Sequence, residues 1–323
     1  MRTLIRKFLF VLVSLKYPHI KKDYRYFIRD NYFSRLNQIR FLFKDYFSKK
    51  KYKVIDFNGE FQQELTFVIP FAYWHYLNGT LKETISSKDS TPLYFFSKNH
   101  QEKYTERIWE NNFANYSIPN MNHSISFSYR KWAAVPFKKQ YANSLFVFEK
   151  PTLVIANKYK FEWGQSPINF FDIPTLDRII NDLKDTYQII YNRPLQSQIV
   201  SDNSDILDLN EYEWLQTNHP EVILMRDLYK PYTDKFSFNH FQLLVYANCQ
   251  RFISVHGGTA ALASYFGGTN IILSRRGVEH ELKEFETIFP RLSGAKILHA
   301  TAEEELFDFV NRYYLPATLS YAN

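Results

Sequence analysis

The chain has 323 residues, 45% of them hydrophobic, enough for one large or two ordinary domains with filled cores, which excludes disorder as the main state. Aromatic residues reach 18% while Gly numbers 9 and Pro 13, excluding collagen-like and linker-like classes; a single cysteine, Cys249, excludes an intramolecular disulfide and a multi-thiolate zinc site. The net charge of +7 is unevenly placed: residues 1–53 hold 15 Lys/Arg and 3 Asp/Glu, so this stretch carries +12 and the remainder −5. A basic arm on an acidic body points to an anionic partner for the arm, a lipid surface or a nucleic acid.

The arm begins with an apolar run from Phe8 to Leu15, eight residues against the roughly 20 that a bilayer-spanning helix needs. No small-residue cleavage pattern of a secretory signal follows it. Beyond Pro18, residues Phe27, Ile28, Tyr32, Leu36, Ile39, Phe43 and Tyr46 recur at spacings of three and four with Arg and Lys between them. This predicts a basic amphipathic helix that either lies in a membrane interface or packs its aromatic stripe on the body; burial of Phe27, Tyr32, Leu36 and Phe43 on the N-terminal domain is expected. Zinc-finger, aromatic RNA-binding and Gly-x-x-Gly patterns are absent, which favours an anionic membrane surface over nucleic acid. The expected location is cytoplasmic and peripheral to a membrane.

Between 56 and 150 the runs 65–70, 91–97 and 143–150 read as strands and 101–111 as helical. From 150 onward the pattern is cleaner. Apolar runs at 151–157, 187–192, 221–227, 251–257, 269–273 and 295–300 alternate with amphipathic stretches at 175–184, 238–248, 259–265, 279–288 and 302–313. Such alternation implies a buried parallel sheet with helices on both faces, whose ligands bind at the carboxyl ends of the strands.

The clearest site signal lies in residues 252–273. A strand ends at Val255, His256-Gly257-Gly258 turns, and Thr259 is placed to cap a helix rich in small residues; Gly267-Gly268 returns the chain to the next strand. Close backbone approach and a helix N-terminus suit an anionic group such as a diphosphate. The spacing matches neither the dinucleotide fingerprint nor the P-loop. Other residues beyond predicted strand ends are Asn157, as a partner for a sugar hydroxyl, Lys158 and Arg193, as phosphate partners, and Asp227.

A strand, a Ser-x-His-Gly-Gly turn, an Ala-rich helix and a Phe-Gly-Gly-Thr return resemble the donor half of Leloir glycosyltransferases of the GT-B fold. The resemblance covers about 150–323 and implies two Rossmann-like domains facing across a cleft. It organises the chain as an arm over 1–55, an α/β acceptor domain over 56–150 and a nucleotide-sugar donor domain over 151–323. It further implies a nucleotide-sugar substrate, a glycan or lipid-linked acceptor, and a donor diphosphate facing His256, Gly257, Gly258 and Thr259. Asp227 would lie near the base, and Glu279 or Glu281 would stand where such enzymes hold the ribose. No Asp-x-Asp pair occurs, in keeping with GT-B enzymes that need no metal. A base for the acceptor hydroxyl would come from the N-terminal half, His75 or His100. Pyruvyl transferases and sugar epimerases share this architecture, and a non-catalytic membrane-peripheral protein retaining the fold is the reading of a different class.

Overall fold

Two all-parallel sheets organise the chain in a computed structural model that describes residues 2–48, 50–109, 116–162, 164–200 and 205–315. They belong to two units. The first is built chiefly on Met1–Val135 and Val278–Leu292, the second on Pro136–Ile199, Ser204–Gly277 and Ser293–Asn323. The α/β class expected from the sequence is therefore present in both.

In the first unit, helices α1 (Arg2–Lys16) and α2 (Lys22–Asn37) pair through an Arg6–Asp30 ion pair and a stacked Phe10 and Tyr26. Val13, Ile20, Ile28 and Leu282 form one apolar cluster on their inner side. The predicted aromatic stripe is only partly buried: Phe27 and Tyr32 are half-buried, whereas Leu36 and Phe43 are exposed. The inward face of α2 is instead filled by Ile28, Asp30, Asn31, Phe33 and Ser34. No described helix is long and apolar enough to cross a membrane.

The sheet of this unit runs β1 (Lys53–Asp56), β2 (Leu81–Ser87), β3 (His100–Tyr104) in that order. Residues 65–70, read above as a strand, are helical, because two parallel neighbours need a long crossover and the apolar run continues without a break to Leu77. Pro70 sits within this helix and lacks the amide that would reach the Thr66 carbonyl. Trp132 supplies the donor instead, Nε1 to the Thr66 oxygen at 2.9 Å, and the backbone opens into a π-turn over Glu64–Val68. The run 91–97 is a 3-10 turn, Thr91–Tyr94, led by Pro92; the strand comes later, at His100–Tyr104, inside the stretch predicted to be helical. Residues 143–150 form no strand either, since the side-chain Oδ1 of Asn143 accepts the Leu145 amide at 2.9 Å and turns the chain.

Segment Val278–Leu292 is fastened to the rest of this unit by buried charge. His123 Nδ1 lies 3.0 Å from Glu284 Oε2, and the Ser124 amide donates to Oε1 at 3.0 Å. Burial opposes protonation of His123, but the carboxylates of Glu284 and Glu279 outweigh it and raise its pKa to about 9 from 6.5. A raised folded-state pKa contributes stability that is fully present below pH 6.5 and is lost as pH rises through about 9. The stability gap between wild type and Glu284→Gln, measured by urea denaturation, is therefore expected to be widest near neutrality and below and to close above that window; a gap that does not change with pH contradicts the ion pair.

The second unit has sheet order β6-β5-β4-β7-β8-β9. The strands are β4 (Thr152–Ala156), β5 (Gln188–Asn192), β6 (Ile223–Leu224), β7 (Arg251–Val255), β8 (Thr269–Leu273) and β9 (Lys296–Ala300). This is the doubly wound Rossmann-like arrangement, with strand order reversing between β4 and β7. Its central strands are buried along their length, as continuous apolar runs in a covered parallel sheet should be. Helix Ile173–Leu183 begins where the Asp172 carboxylate accepts the Thr175 amide at 2.9 Å, and helix Phe238–Ala247 where the Ser237 hydroxyl accepts that of His240 at 3.3 Å. Only two residues of the predicted strand 221–227 are extended; the chain coils into helix Met225–Tyr229 immediately after.

Candidate functional site

The carboxyl ends of β4 and β7 flank the reversal point, where an open α/β sheet holds its ligands. After β7, Gly257 takes φ 107° and ψ −150°, a conformation that favours glycine, and becomes the N-cap of helix Gly258–Ala263. Thr259 does not cap as expected. It already lies inside the helix, and its hydroxyl donates to the Val255 carbonyl at 2.7 Å. Gly258 opens the helix, so its amide and those that follow are first-turn donors without intrahelical acceptors.

Lys158, just beyond β4, brings its ammonium to this turn: a Cβ on Gly257 would lie 3.4 Å from Nζ. The same ammonium is paired with Glu162, one helical turn's worth of sequence further on. Glu162 is buried and also accepts the Asn169 backbone amide at 3.1 Å and its side-chain amide at 3.0 Å. Burial alone would raise the carboxyl pKa; Lys158, His256 and the Asn169 amide reverse this and lower it, so the group is an anion. His256 is buried, with Nδ1 2.8 Å from the Ser274 hydroxyl and its backbone amide on the Leu273 carbonyl at 3.0 Å. Its ring abuts Gly277, where a Cβ would approach Cε1 to 2.1 Å. Gly277 is thus the residue that makes room for the histidine.

Of the residues anticipated from the sequence, the structure gathers Lys158, His256, Gly257, Gly258 and Thr259 in one place. Others stand elsewhere or are already committed. Asn157 lies beside the site, but its side chain is fully used: the oxygen accepts the Lys158 and Phe171 amides at 2.9 Å each, and the nitrogen donates to the Phe171 carbonyl at 2.9 Å and the Tyr191 hydroxyl at 3.0 Å. It staples the loop after β4 and is not available to a sugar hydroxyl without breaking that staple. Arg193 is buried in a two-pronged pair with Glu211 and lies over the Tyr212 ring at 4.8 Å, so its fork is filled by a carboxylate of its own unit. Asp227 is on helix Met225–Tyr229, bonded to Lys230 at 2.7 Å, and not at a strand end. Glu279 lies buried on the short helix Val278–Glu281 of the first unit and acts there on His123. Glu281 pairs with Lys21 in that unit as well.

The two histidines proposed as acceptor base are both committed to the fold of the first unit, His75 buried and His100 half-buried. His75 was expected beyond a strand end; it is on helix Ile69–Leu77, buried, with Nδ1 2.8 Å from the Thr80 hydroxyl. Burial, with Lys53 and Lys131 nearby, pushes its pKa down to about 2, which leaves it a very weak base. His100 is on β3, stacked on Tyr94, with both ring nitrogens engaged, Nδ1 by Thr84 at 2.8 Å and Nε2 by Ser90 at 2.9 Å. Sequence reading missed Asn169, Ser274 and Gly277, which hold the site together, and the His123–Glu284 pair. Glu162, four residues after Lys158, carried a readable signal; His123 and Glu284, 161 residues apart, did not.

Among the described residues no group of three or more His, Cys, Asp or Glu is placed to hold a metal ion. The chain matches no protein-family model, no curated protein and no solved structure.

Proposed function

We propose that the second unit binds a nucleotide sugar, with the diphosphate at the turn after β7, and that the protein is a GT-B-type glycosyltransferase acting on a glycan or lipid-linked acceptor. The observation that carries this reading is the meeting of Lys158 with the Gly257 turn at the reversal point of the sheet. A diphosphate entering there takes first-turn amides from helix Gly258–Ala263 and draws the Lys158 ammonium from Glu162. Glu162 keeps its two Asn169 donors while the ammonium turns to the diphosphate. As the bond from sugar to phosphate breaks, the same amides and ammonium offset the charge growing on the leaving diphosphate, the kind of preorganised stabilisation that often dominates such transfers.

Thermal denaturation in the presence of nucleoside diphosphates and their sugars tests this. A ligand at about 100 times its Kd stabilises by about 2.7 kcal/mol, and one nucleotide class is expected to raise Tm accordingly. Gly258→Leu should abolish the rise by crowding the first turn. Silence across all nucleotides supports the non-catalytic alternative, and a rise that survives Gly258→Leu places the ligand elsewhere.

A further inference from the structure

The arm of the first unit exposes apolar surface in an ordered pattern. On α1 the residues facing water are Leu4, Phe8, Val11, Leu12 and Leu15, spaced by four, three, one and three, which is one helical face. Each is at least 45% exposed. A second exposed stripe follows α2 at Leu36, Ile39, Phe43 and Phe47. Soluble surfaces rarely leave such contiguous apolar faces in water unless something covers them.

The charge around the stripes identifies the cover. The arm has three carboxylates among fifteen cations. Asp30 is buried against Arg6 and Arg29, and Asp45 is buried against Lys131. Asp23 alone remains exposed, while Arg2, Lys7, Lys16, Lys22, Arg40 and Lys44 all reach solvent. Folding thus buries two of the arm's three anions and leaves a surface of apolar side chains rimmed by cations. At a rise of about 1.5 Å per residue α1 is roughly 22 Å long, short of the ~30 Å hydrocarbon core, so it fits along a bilayer surface and not across it.

We propose that the arm docks the protein on an anionic phospholipid bilayer, the outward face of α1 immersed at the boundary between headgroups and acyl chains and the Lys/Arg rim on the lipid phosphates. This stands on the first unit alone and does not depend on the chemistry assigned to β4 and β7. A nucleic acid partner would use the cations and leave the apolar stripes in water.

The full chain is mixed with vesicles of phosphatidylcholine alone and of phosphatidylcholine with phosphatidylglycerol, and the bound fraction is read by flotation. Binding is expected only with phosphatidylglycerol, weakened by salt, and reduced about tenfold or more by Phe8→Glu/Leu12→Glu. Because those two side chains face water, circular dichroism should be unchanged; Lys7→Glu/Lys16→Glu provides a second variant that reverses charge on the rim, leaves the apolar face intact and should weaken binding too. The proposal is overturned by absence of binding to the anionic vesicles or by equal binding of Phe8→Glu/Leu12→Glu. It is also overturned by light scattering that shows a dimer which this variant dissolves, or by vesicle-free binding to duplex DNA that alone accounts for the charge dependence.

Discussion

Gly268→Ala is expected to destabilise the second unit by about 3 kcal/mol or more, through a backbone clash combined with a left-handed conformation. Gly268 has φ +67°, and a Cβ there would lie 2.0 Å from the Gln250 carbonyl oxygen and 2.7 Å from its carbon. That carbonyl cannot move aside, because it accepts the Thr269 amide at 3.0 Å in the register that starts the pairing of β7 with β8. The neighbouring Gly267 makes the control. Its φ is +72° and ψ −163°, a conformation nearly confined to glycine, yet a Cβ would meet nothing within 4 Å, so Gly267→Ala should cost about 2 kcal/mol, the conformational part alone. Urea denaturation of both variants measures the difference, and equal losses would mean that the close approach to Gln250 does not exist.

The second large effect concerns Lys158 and Glu162. The two side chains are 15% and 5% exposed, so Lys158→Met leaves a buried carboxylate with only its Asn169 donors, at a cost of about 3 kcal/mol. Lys158→Met/Glu162→Gln removes charge from both and is expected to recover most of that loss, since a neutral amide keeps the shape of the site without an uncompensated ion. Stabilisation by a nucleoside diphosphate should be lost in both variants, because each lacks the cation that would meet the phosphates. The double variant thus separates folding from binding. If Lys158→Met keeps the full thermal shift with the nucleotide, Lys158 serves only the fold and the assignment of the diphosphate site fails.

The second unit was legible because its strands are apolar along their length and separated by turns with Gly, Asn or Asp. Its β7 turn could be placed to the residue. The first unit was misread where the same signal has two meanings. An apolar run of six residues, 65–70, fits a buried strand or a buried helix equally, and only the need to cross between β1 and β2 decides. The opposite failure occurred at β3, whose sequence HQEKY is polar because the strand lies at the sheet edge, with its three central residues exposed. For the site, position at a strand end was visible and commitment was not. Arg193 and Asn157 stand where a ligand residue should, but nothing near them in sequence announces Glu211 or Phe171 as the groups that occupy them. His256 was found through its glycines, whereas Gly277, which gives its ring space, is twenty-one positions away on another strand's exit.

The loan of Val278–Leu292 to the first unit means that the two halves cannot be separated by cutting the chain once. A fragment ending at Val135 would lack Leu282, which closes the apolar cluster under α1 and α2, and Glu284, the counter-ion of His123. A polypeptide starting after it would carry the orphaned stretch between β8 and β9 with its buried faces, Phe285 and Phe289 among them, turned to water. Dissection into independent domains therefore requires excising an internal segment and supplying it to the other piece, and the natural unit of expression for either half is the whole chain.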